Sequence, residues 1–483
     1  MATTAPTSYP PLDPSSELEV DVCIVGAGIS GLLTAWALIE AGLSVALLES
    51  KRVAASVTGF TTAKLTSQHG LKYSMLTDKH GEQTARTYGE ANERARAQIL
   101  TLAEQLDVDA QVQTRDAWTY ATHEHSVAWV RAEADAAANA GLPARFESEV
   151  PLAFATHGGV VFAQQAQLHP RRLMLALAEA LAARGCHLHE QTRATDLDGD
   201  GPFTVGTDTG GTVRARHVVL STLLPWLSSG GLIPKVYCHQ GYAIAVPVGE
   251  DPLASGMYIA ADRPMRSLRT IDDEQGMLLQ VGGSAWVPNP SSGATPWDDL
   301  QQWASREFGT DEPAWRWSTQ DYSTSDGLPV IGRIDPGKQL YIAGGFGGWG
   351  LTNAGVAAEL IRDQITGEPA DWHATFAPTR SLPVADTRIV SGHRTGLQVD
   401  TSRLIEQLKP GEAIVLEDDG EEIAVHRDDA GTIHRVSAVC THLRGIVLWD
   451  ADAREWHCPC HESRFAPDGT VTAGPAKQPL PPR

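Results

Sequence analysis

Four residues near the C-terminal end have the types and spacing of a ligand set: Cys440-Thr-His442, then fifteen residues, then Cys458-Pro-Cys-His461. Two thiolates and two neutral imidazoles in this order can hold a pair of irons, Cys440 and Cys458 on one and His442 and His461 on the other. Such a centre moves single electrons, and its reduced anionic charge raises its potential above that of an all-cysteine cluster. A structural zinc site uses the same residue types, although zinc knuckles seldom space them this way. Each pair follows an apolar, strand-like run, Ile433 to Val439 and Gly445 to Trp456, so two hairpin-like loops would clasp one cluster.

Beyond the second pair come His461-Glu462-Ser463-Arg464-Phe465, Asp468-Gly469, Gly474-Pro475 and Pro479-Leu480-Pro481. With the four ligands, this stretch resembles the Rieske 2Fe-2S domains, in which a serine hydroxyl and a proline-rich loop shield the cluster. Many of those domains carry C-T-H-L-G-C and C-P-C-H-G-S, whose extra cysteines form a disulfide. Here Arg444-Gly445 stands in place of Gly-Cys, leaving Cys460 alone, so the domain is similar to the disulfide-free Rieske ferredoxins. Glu462 where glycine is usual adds negative charge beside a histidine ligand, and both departures imply a lower potential.

The N-terminal region predicts a second cofactor. Val20 to Val25 reads as a strand, Gly26-Ala-Gly28-Ile-Ser-Gly31 as a tight turn into a helix, and Ser44 to Glu49 as a strand ending in an acid. Gly26 permits the turn, Gly28 lets backbone approach a pyrophosphate, and Gly31 lets helix and strand pack closely. Glu49 is spaced to bind ribose hydroxyls. Further along, Ser221-Thr222-Leu-Leu-Pro225 resembles the A-T-x-x-P segment of many flavoproteins. Asp326-Gly327-Leu-Pro329 precedes a second glycine turn, Gly345-Phe-Gly347-Gly348-Trp349-Gly350-Leu-Thr352, that opens another helix.

With these segments in this order, residues up to about 375 resemble the glycine oxidase/D-amino acid oxidase superfamily. The likeness is nearest to a bacterial subgroup fused to a C-terminal Rieske domain, carried by Gly59-Phe-Thr61-Thr62-Ala-Lys64 through His69-Gly70 and by Phe346 to Asn353. The resemblance implies FAD and a Rieske 2Fe-2S cluster as cofactors. It implies an α/β Rossmann-like FAD-binding domain over 19–375, with an inserted α+β substrate domain at roughly 76–165 and 235–320. A linker at 376–396 and a small all-β Rieske domain at 397–483 would follow, and residues 1–18 read as a disordered tail.

Within that frame Thr61, Thr62 and Lys64 are candidates for the flavin-facing wall, Lys64 as a cation near the ring. A solvated lysine at a helix start is the other reading of Lys64. His69 is a candidate base, against the commoner satisfied structural histidine. Arg266 and Arg269 lie where superfamily members bind a substrate carboxylate, Tyr242 and Tyr322 would close the pocket, and Trp349 is a flavin-stacking lid or a packing residue. Superfamily chemistry implies hydride transfer from a carbon bearing an amine, with an amine or amino acid as substrate.

Fusion to a one-electron carrier implies that electrons leave singly, to a redox partner protein or another acceptor. The alternatives are a reductase fed by a ferredoxin, and a redox-sensing protein without a small substrate. A Rieske oxygenase would need an Asp/Glu-x-x-His-x-x-x-His run, which the sequence lacks outside the cluster. Net charge is −21, from 38 Lys and Arg against 59 Asp and Glu, which argues against nucleic acid or anionic membranes as partners. With no basic, apolar leader, no spanning run and no disulfide framework among six cysteines, the expectation is a cytoplasmic protein. Long helices are expected over Leu76 to Leu106, Ser126 to Ala140 and Pro170 to Arg184, with sheet strands at 241–248, 256–260 and 277–282.

Overall fold

The computed structural model describes Thr4 and residues 8–223, 236–273, 276–284, 295–382, 405–406, 408–418, 421–442, 446–450, 453–458, 463–474 and 476–483. Val45–Leu48 is apolar and buried at every position, the mark of a strand covered on both faces. It belongs to a sheet ordered Val330–Arg333, Leu340–Gly344, Thr212–Leu220, Glu17–Val25, Val45–Leu48, His187–His189, parallel except for the first pair. A hairpin, Ala194–Asp198 with Phe203–Thr207, extends it beside Thr212–Leu220. Helices Ile29–Glu40, Pro170–Ala183 and Gly350–Thr366 pack together over one face. Gly355 lets the last of them approach helix Glu82–Gln105, since a Cβ there would stand 2.8 Å from Ala95 Cβ.

A second sheet runs Trp315–Thr324, Val236–Val248, Gly276–Ser284, Arg266–Asp273, Gly256–Ala260, Gln113–Tyr120, Gly159–Gln167, Lys64–Leu65. Only Gly256–Ala260 and Gln113–Tyr120 pair in parallel along this order. The sheet curls until its far edge returns over Arg266–Asp273: Lys64 Nζ donates to Ser267 Oγ at 2.5 Å, and Arg269 Nη1 to the Leu168 carbonyl at 3.3 Å. Its outer face is sealed by helix Pro296–Phe308, with Ile244, Leu268, Val281, Leu300 and Ala304 in the core between them. The architecture is thus an α/β Rossmann-like fold with an inserted α+β unit.

The C-terminal unit is all-β. Ala413–Asp418, Glu421–Arg427 and Ile433–Ser437 form one antiparallel sheet, and Leu448–Asp450, Glu455–His457, Arg464–Phe465 and Val471–Ala473 form another. Trp456, Phe465, Val436, Val447 and Leu480 fill the core around Cys440 and Cys458.

Three expectations need correction. The tail is ordered well before residue 18: Leu12 is buried, its N–H donates to Thr192 Oγ1 at 3.0 Å, and Tyr9 N donates to Glu190 at 3.2 Å. One leucine seated against Gly211, where a Cβ would stand 2.9 Å from it, anchors a segment that reads as polar. The single helix expected over 76–106 is two, Lys72–His80 and Glu82–Gln105, broken at Gly81 with φ +87°. The start of the expected linker is packed on the first unit: Phe376 and Leu382 are buried, and Arg380 pairs with Asp326 at 2.7 Å. Positions 383–404 lie outside the described residues.

Candidate functional site

At the first glycine turn the backbone does what side chains would prevent. Gly26 has φ +107°, and a Cβ on it would stand 2.7 Å from the Ser221 carbonyl oxygen; a Cβ on Gly31 would run into the Gly26 carbonyl. The helix therefore begins hard against the strand end, with Gly28 as an N-cap that lacks a side-chain cap. Thr58 Oγ1 accepts from Ile29 N at 3.0 Å. Glu49 ends its strand beside the turn, accepting from Ala27 N at 2.9 Å and from Lys51 N at 2.8 Å. Ser30 Oγ and Ser221 Oγ are buried here without a partner among the described residues. An open helix N-terminus, close backbone, a fixed carboxylate and orphaned hydroxyls fit a dinucleotide cofactor. Gly26, Gly28, Gly31, Glu49 and the adjoining Thr222 are the residues that would hold it.

In the second turn Gly345, Gly347 and Gly348 have φ of +70°, +60° and +89°. Gly347 N donates to the Tyr322 carbonyl at 2.9 Å and Gly348 N to Asp321 Oδ2. Trp349 lies over His69, ring centroids 4.5 Å apart and 20° from parallel, so one face of the indole is packed on the imidazole. Thr352, expected at the cofactor, is buried, and its hydroxyl is spent on Thr66 O at 3.4 Å and His69 Nε2 at 3.2 Å. That expectation is corrected, as is the one for His69. His69 Nε2 lies 2.7 Å from the Thr66 carbonyl and must donate to it, which leaves Nδ1 to accept from Tyr88 OH at 2.7 Å. Burial and Lys72 hold this ring neutral, its pKa pulled down to about 3. Both nitrogens are engaged, so His69 is a structural residue and not a base.

The inner face of the curled sheet brings several of the expected site residues together. Register fixes which residues share it: Ser267 pairs with Gly282 and Gly282 with Ala243, while Arg269 pairs with Gln280. Gly282 opens space opposite Thr62, whose Cγ2 would be 3.7 Å from a Cβ there. Thr61 Oγ1 accepts from Ala63 N at 3.2 Å, and Ala63 takes φ +56°, a left-handed turn that directs the following Lys64 inward. Lys64 sits in a strand, not at a helix start, and its ammonium bonds Ser267 Oγ. Burial and the nearby Arg269 guanidinium pull Lys64 down to about 7, and burial pulls Arg269 to about 10.

Arg269 Nε donates to Gln280 Oε1 at 2.7 Å, whereas Gln280 Nε2 is buried without a partner among the described residues. Neither Lys64 nor Arg269 pairs with a carboxylate among the described residues. The two cations therefore meet neutral acceptors here, Ser267 Oγ, Gln280 Oε1 and the Leu168 carbonyl. Ser267, Gln280 and Gly282 escaped the sequence reading, although the alternation around Arg269 places Ser267 on its face. Asp321 escaped as well; it shares the inner face through its pairing with His239, and burial pushes it up to about 6.

The same register corrects Tyr242 and Arg266. Tyr242, Gly283 and Arg266 form one row on the opposite, outer face, where Tyr242 meets Trp297 edge-on at 5.1 Å and Arg266 pairs with Asp299 at 2.6 Å. Both belong to the packing of helix Pro296–Phe308. Tyr322 is buried beside Val236.

In the C-terminal unit Cys440 and Cys458 are buried thiols close enough to hydrogen-bond, an arrangement that pushes Cys440 far up. A hydrogen bond from Ser463 to the Cys440 sulfur opposes that shift, and the His442 backbone does likewise. Ser463 Oγ also accepts from Ala476 N at 3.1 Å, and Cys458 N donates to Ser463 O at 2.7 Å, closing the second loop. A bridge between Val439 and Ile446 closes the first. Burial lowers His442, favouring the neutral ring that a ligand needs. Adjacent soft donors, a neutral imidazole and a serine on the sulfur fit an iron–sulfur centre. His461 lies outside the described residues, as does Cys460. No helix among the described residues is long and apolar enough to cross a membrane.

A family profile described as FAD dependent oxidoreductase matches residues 21–364, and one described as Rieske [2Fe-2S] domain matches residues 402–482. YhfW of Bacillus subtilis, whose name calls it a Rieske 2Fe-2S iron-sulfur protein, is 31% identical over 98% of this chain and 94% of its own length. The gamma-glutamylputrescine oxidoreductase of Escherichia coli is 24% identical over 76% of the chain and 88% of its own. Among solved structures, glycine oxidase from Geobacillus kaustophilus superposes with a TM-score of 0.62 at 22% identity, over 76% of this chain and 100% of that one. L-proline dehydrogenase from P. horikoshii gives 0.62 at 17% identity, over 75% and 98%.

Proposed function

The chain belongs to the FAD dependent oxidoreductase family and carries a C-terminal Rieske [2Fe-2S] domain, and from that premise we propose that it dehydrogenates an amine or amino acid and sends the electrons through the Rieske domain to an external acceptor. We assign 19–375 to the catalytic unit and 397–483 to the carrier. When bound, FAD accepts an electron pair and the cluster carries single electrons.

The observation that carries the substrate class is a pair of neighbouring buried cations, Lys64 and Arg269, bonded to Ser267 and Gln280 and in no ion pair with a carboxylate among the described residues. A buried cation pair is costly unless an anion joins it. An amino acid supplies that anion, with Arg269 gripped at Nε and Nη1 and its Nη2 without a hydrogen bond among the described residues. Lys64, near 7, can hold or release a proton at working pH, and a neutral substrate amine requires such a group. Donation from a CH–NH group is also the chemistry that the names of the oxidoreductase, the glycine oxidase and the proline dehydrogenase share.

The test is anaerobic mixing of the holoprotein with a panel of amines and amino acids, with absorbance and low-temperature EPR recorded together. Flavin bleaching followed by a reduced-cluster signal is expected. Bleaching by no substrate, with rapid flavin reduction through a chemically reduced cluster, would overturn this direction and indicate a ferredoxin-fed reductase.

A further inference from the structure

Away from the pocket, the parallel strands Gln113–Tyr120 and Gly256–Ala260 end at the same level, tied by Ala261 N donating to Tyr120 O at 2.8 Å. The chain leaving the first strand carries His123 and His125 in an H-x-H run, and the chain leaving the second carries Asp262. Asp262 Oδ1 lies 3.6 Å from His123 Nδ1 and 3.7 Å from His125 Nε2, and the three donor atoms all fall within 4.8 Å of one another. We propose that His123, His125 and Asp262 form a binding site for a divalent transition-metal ion of the zinc class, separate from the flavin and cluster sites.

Geometry and chemistry agree on this. Zinc bound to two imidazoles and a carboxylate has donor atoms about 3.4 Å apart on the edges of its tetrahedron. The two edges to Asp262 already match. Closing the third requires only rotation of exposed imidazoles, whose side chains are 56% and 66% accessible.

Asp262 is the fixed member. Its side chain is 3% accessible, and its Oδ2 accepts from Thr122 N at 2.6 Å and Thr122 Oγ1 at 2.9 Å, while Ser126 Oγ donates to Oδ1. These are the outer hydrogen bonds that orient a ligating carboxylate. Thr122 Oγ1 also lies 2.9 Å from His123 Nδ1; with its own proton directed to Asp262 it accepts from Nδ1–H, so a metal would take this nitrogen by displacing that proton. No lysine or arginine pairs with Asp262 among the described residues, so a buried carboxylate has only neutral donors and two imidazoles about it. Neutral imidazole with carboxylate selects zinc, copper, nickel or cobalt over magnesium or calcium. An ion here would staple the 122–126 turn to the loop that leads into Arg266–Asp273, and the fourth position would be open to water.

The test uses tag-free holoprotein dialysed against low-micromolar zinc chloride, with zinc and iron counted in the same sample so that metal exchange at the cluster is seen as iron loss. One zinc per chain, with iron unchanged, is expected for the native protein, and none at this site for the double variant His123→Ala/His125→Ala. Zinc should also raise the melting temperature of the native protein and leave that of the variant unmoved. Equal zinc content in the two proteins, no zinc retained by the native protein, or zinc gained only as iron is lost would overturn the proposal.

Discussion

Lys64 offers the sharpest test of the pocket. Free, its ammonium titrates near 7 because burial and Arg269 disfavour the charge. A bound carboxylate reverses that, since an anion in contact with the ammonium stabilises the protonated form. A charge-assisted hydrogen bond in such a half-buried place is worth about 2 kcal/mol, roughly 30-fold in affinity. The same coupling raises Lys64 to about 8.5 in the complex, at 1.36 kcal/mol per pH unit. The sign follows: below pH 7 the ammonium is already present and binding is tightest, and above it each complex must take up a proton. Affinity for a simple carboxylate such as benzoate should therefore fall from about pH 7 and level off near 8.5. Arg269, near 10, stays charged across that window, and Asp321, near 6, has largely ionised below it. The assay is titration of the holoprotein's flavin spectrum with benzoate from pH 7 to 9, in the native protein and in Lys64→Met. The variant should bind about 15-fold more weakly at pH 7, where half of the free lysine is charged, with no slope. A flat native profile, or the same slope in both proteins, would refute the reasoning.

Other consequences follow from single contacts. Gly31→Ala drives a methyl into the Gly26 carbonyl, so the purified variant should lose its flavin while retaining iron, as absorbance and metal analysis will report. His69→Gln, which breaks a ring held at both nitrogens and stacked on Trp349, should cost about 2–4 kcal/mol of stability. It should leave the pH profile of kcat unaltered; a lost basic limb in that profile would restore His69 as a base. Ser463→Ala removes the hydrogen bond to the Cys440 sulfur. A loss of about 1.5 kcal/mol from the reduced, more anionic state lowers a one-electron potential by on the order of 60 mV, measured by redox titration of the EPR signal.

What was legible in the sequence was what local spacing encodes. The expected cluster ligands fall in two short stretches of sequence, and the first glycine turn is a contiguous strand, turn and helix, so their chemistry is written within a few residues of each centre. Strand periodicity likewise carried Gly256–Ala260 and Gly276–Ser284. The cation pair was only half legible, because a curl of the sheet brings Lys64 on an edge strand to Ser267 on an interior strand, 203 residues away in the chain. Tyr242 and Arg266 misled for a related reason: they lie one residue from pocket positions, and one step along a strand is the difference between inside and outside. His69 and Thr352 looked chemical and are structural because each finds the other across 283 residues of chain.

The exception that Lys64 and Arg269 represent emerges when other buried charges are set beside them. Glu190 accepts from Val53 N at 2.7 Å and pairs with Arg52 at 3.1 Å. Glu133 accepts from Tyr73 N at 2.9 Å, Ser74 N at 2.8 Å and Ser74 Oγ at 2.7 Å. Asp326 has Arg380, and Arg266 has Asp299. In each case the fold supplies the compensation itself, as burial of a charge demands. Lys64 and Arg269 instead lie near each other, each held by neutral partners, and repel. A packed apolar pair would be the more stable solution for folding alone. Two like charges held in this way would be relieved by an anionic ligand, and burial with the same repulsion keeps Lys64 within reach of neutral pH, as the proposed exchange of a proton with a substrate amine requires.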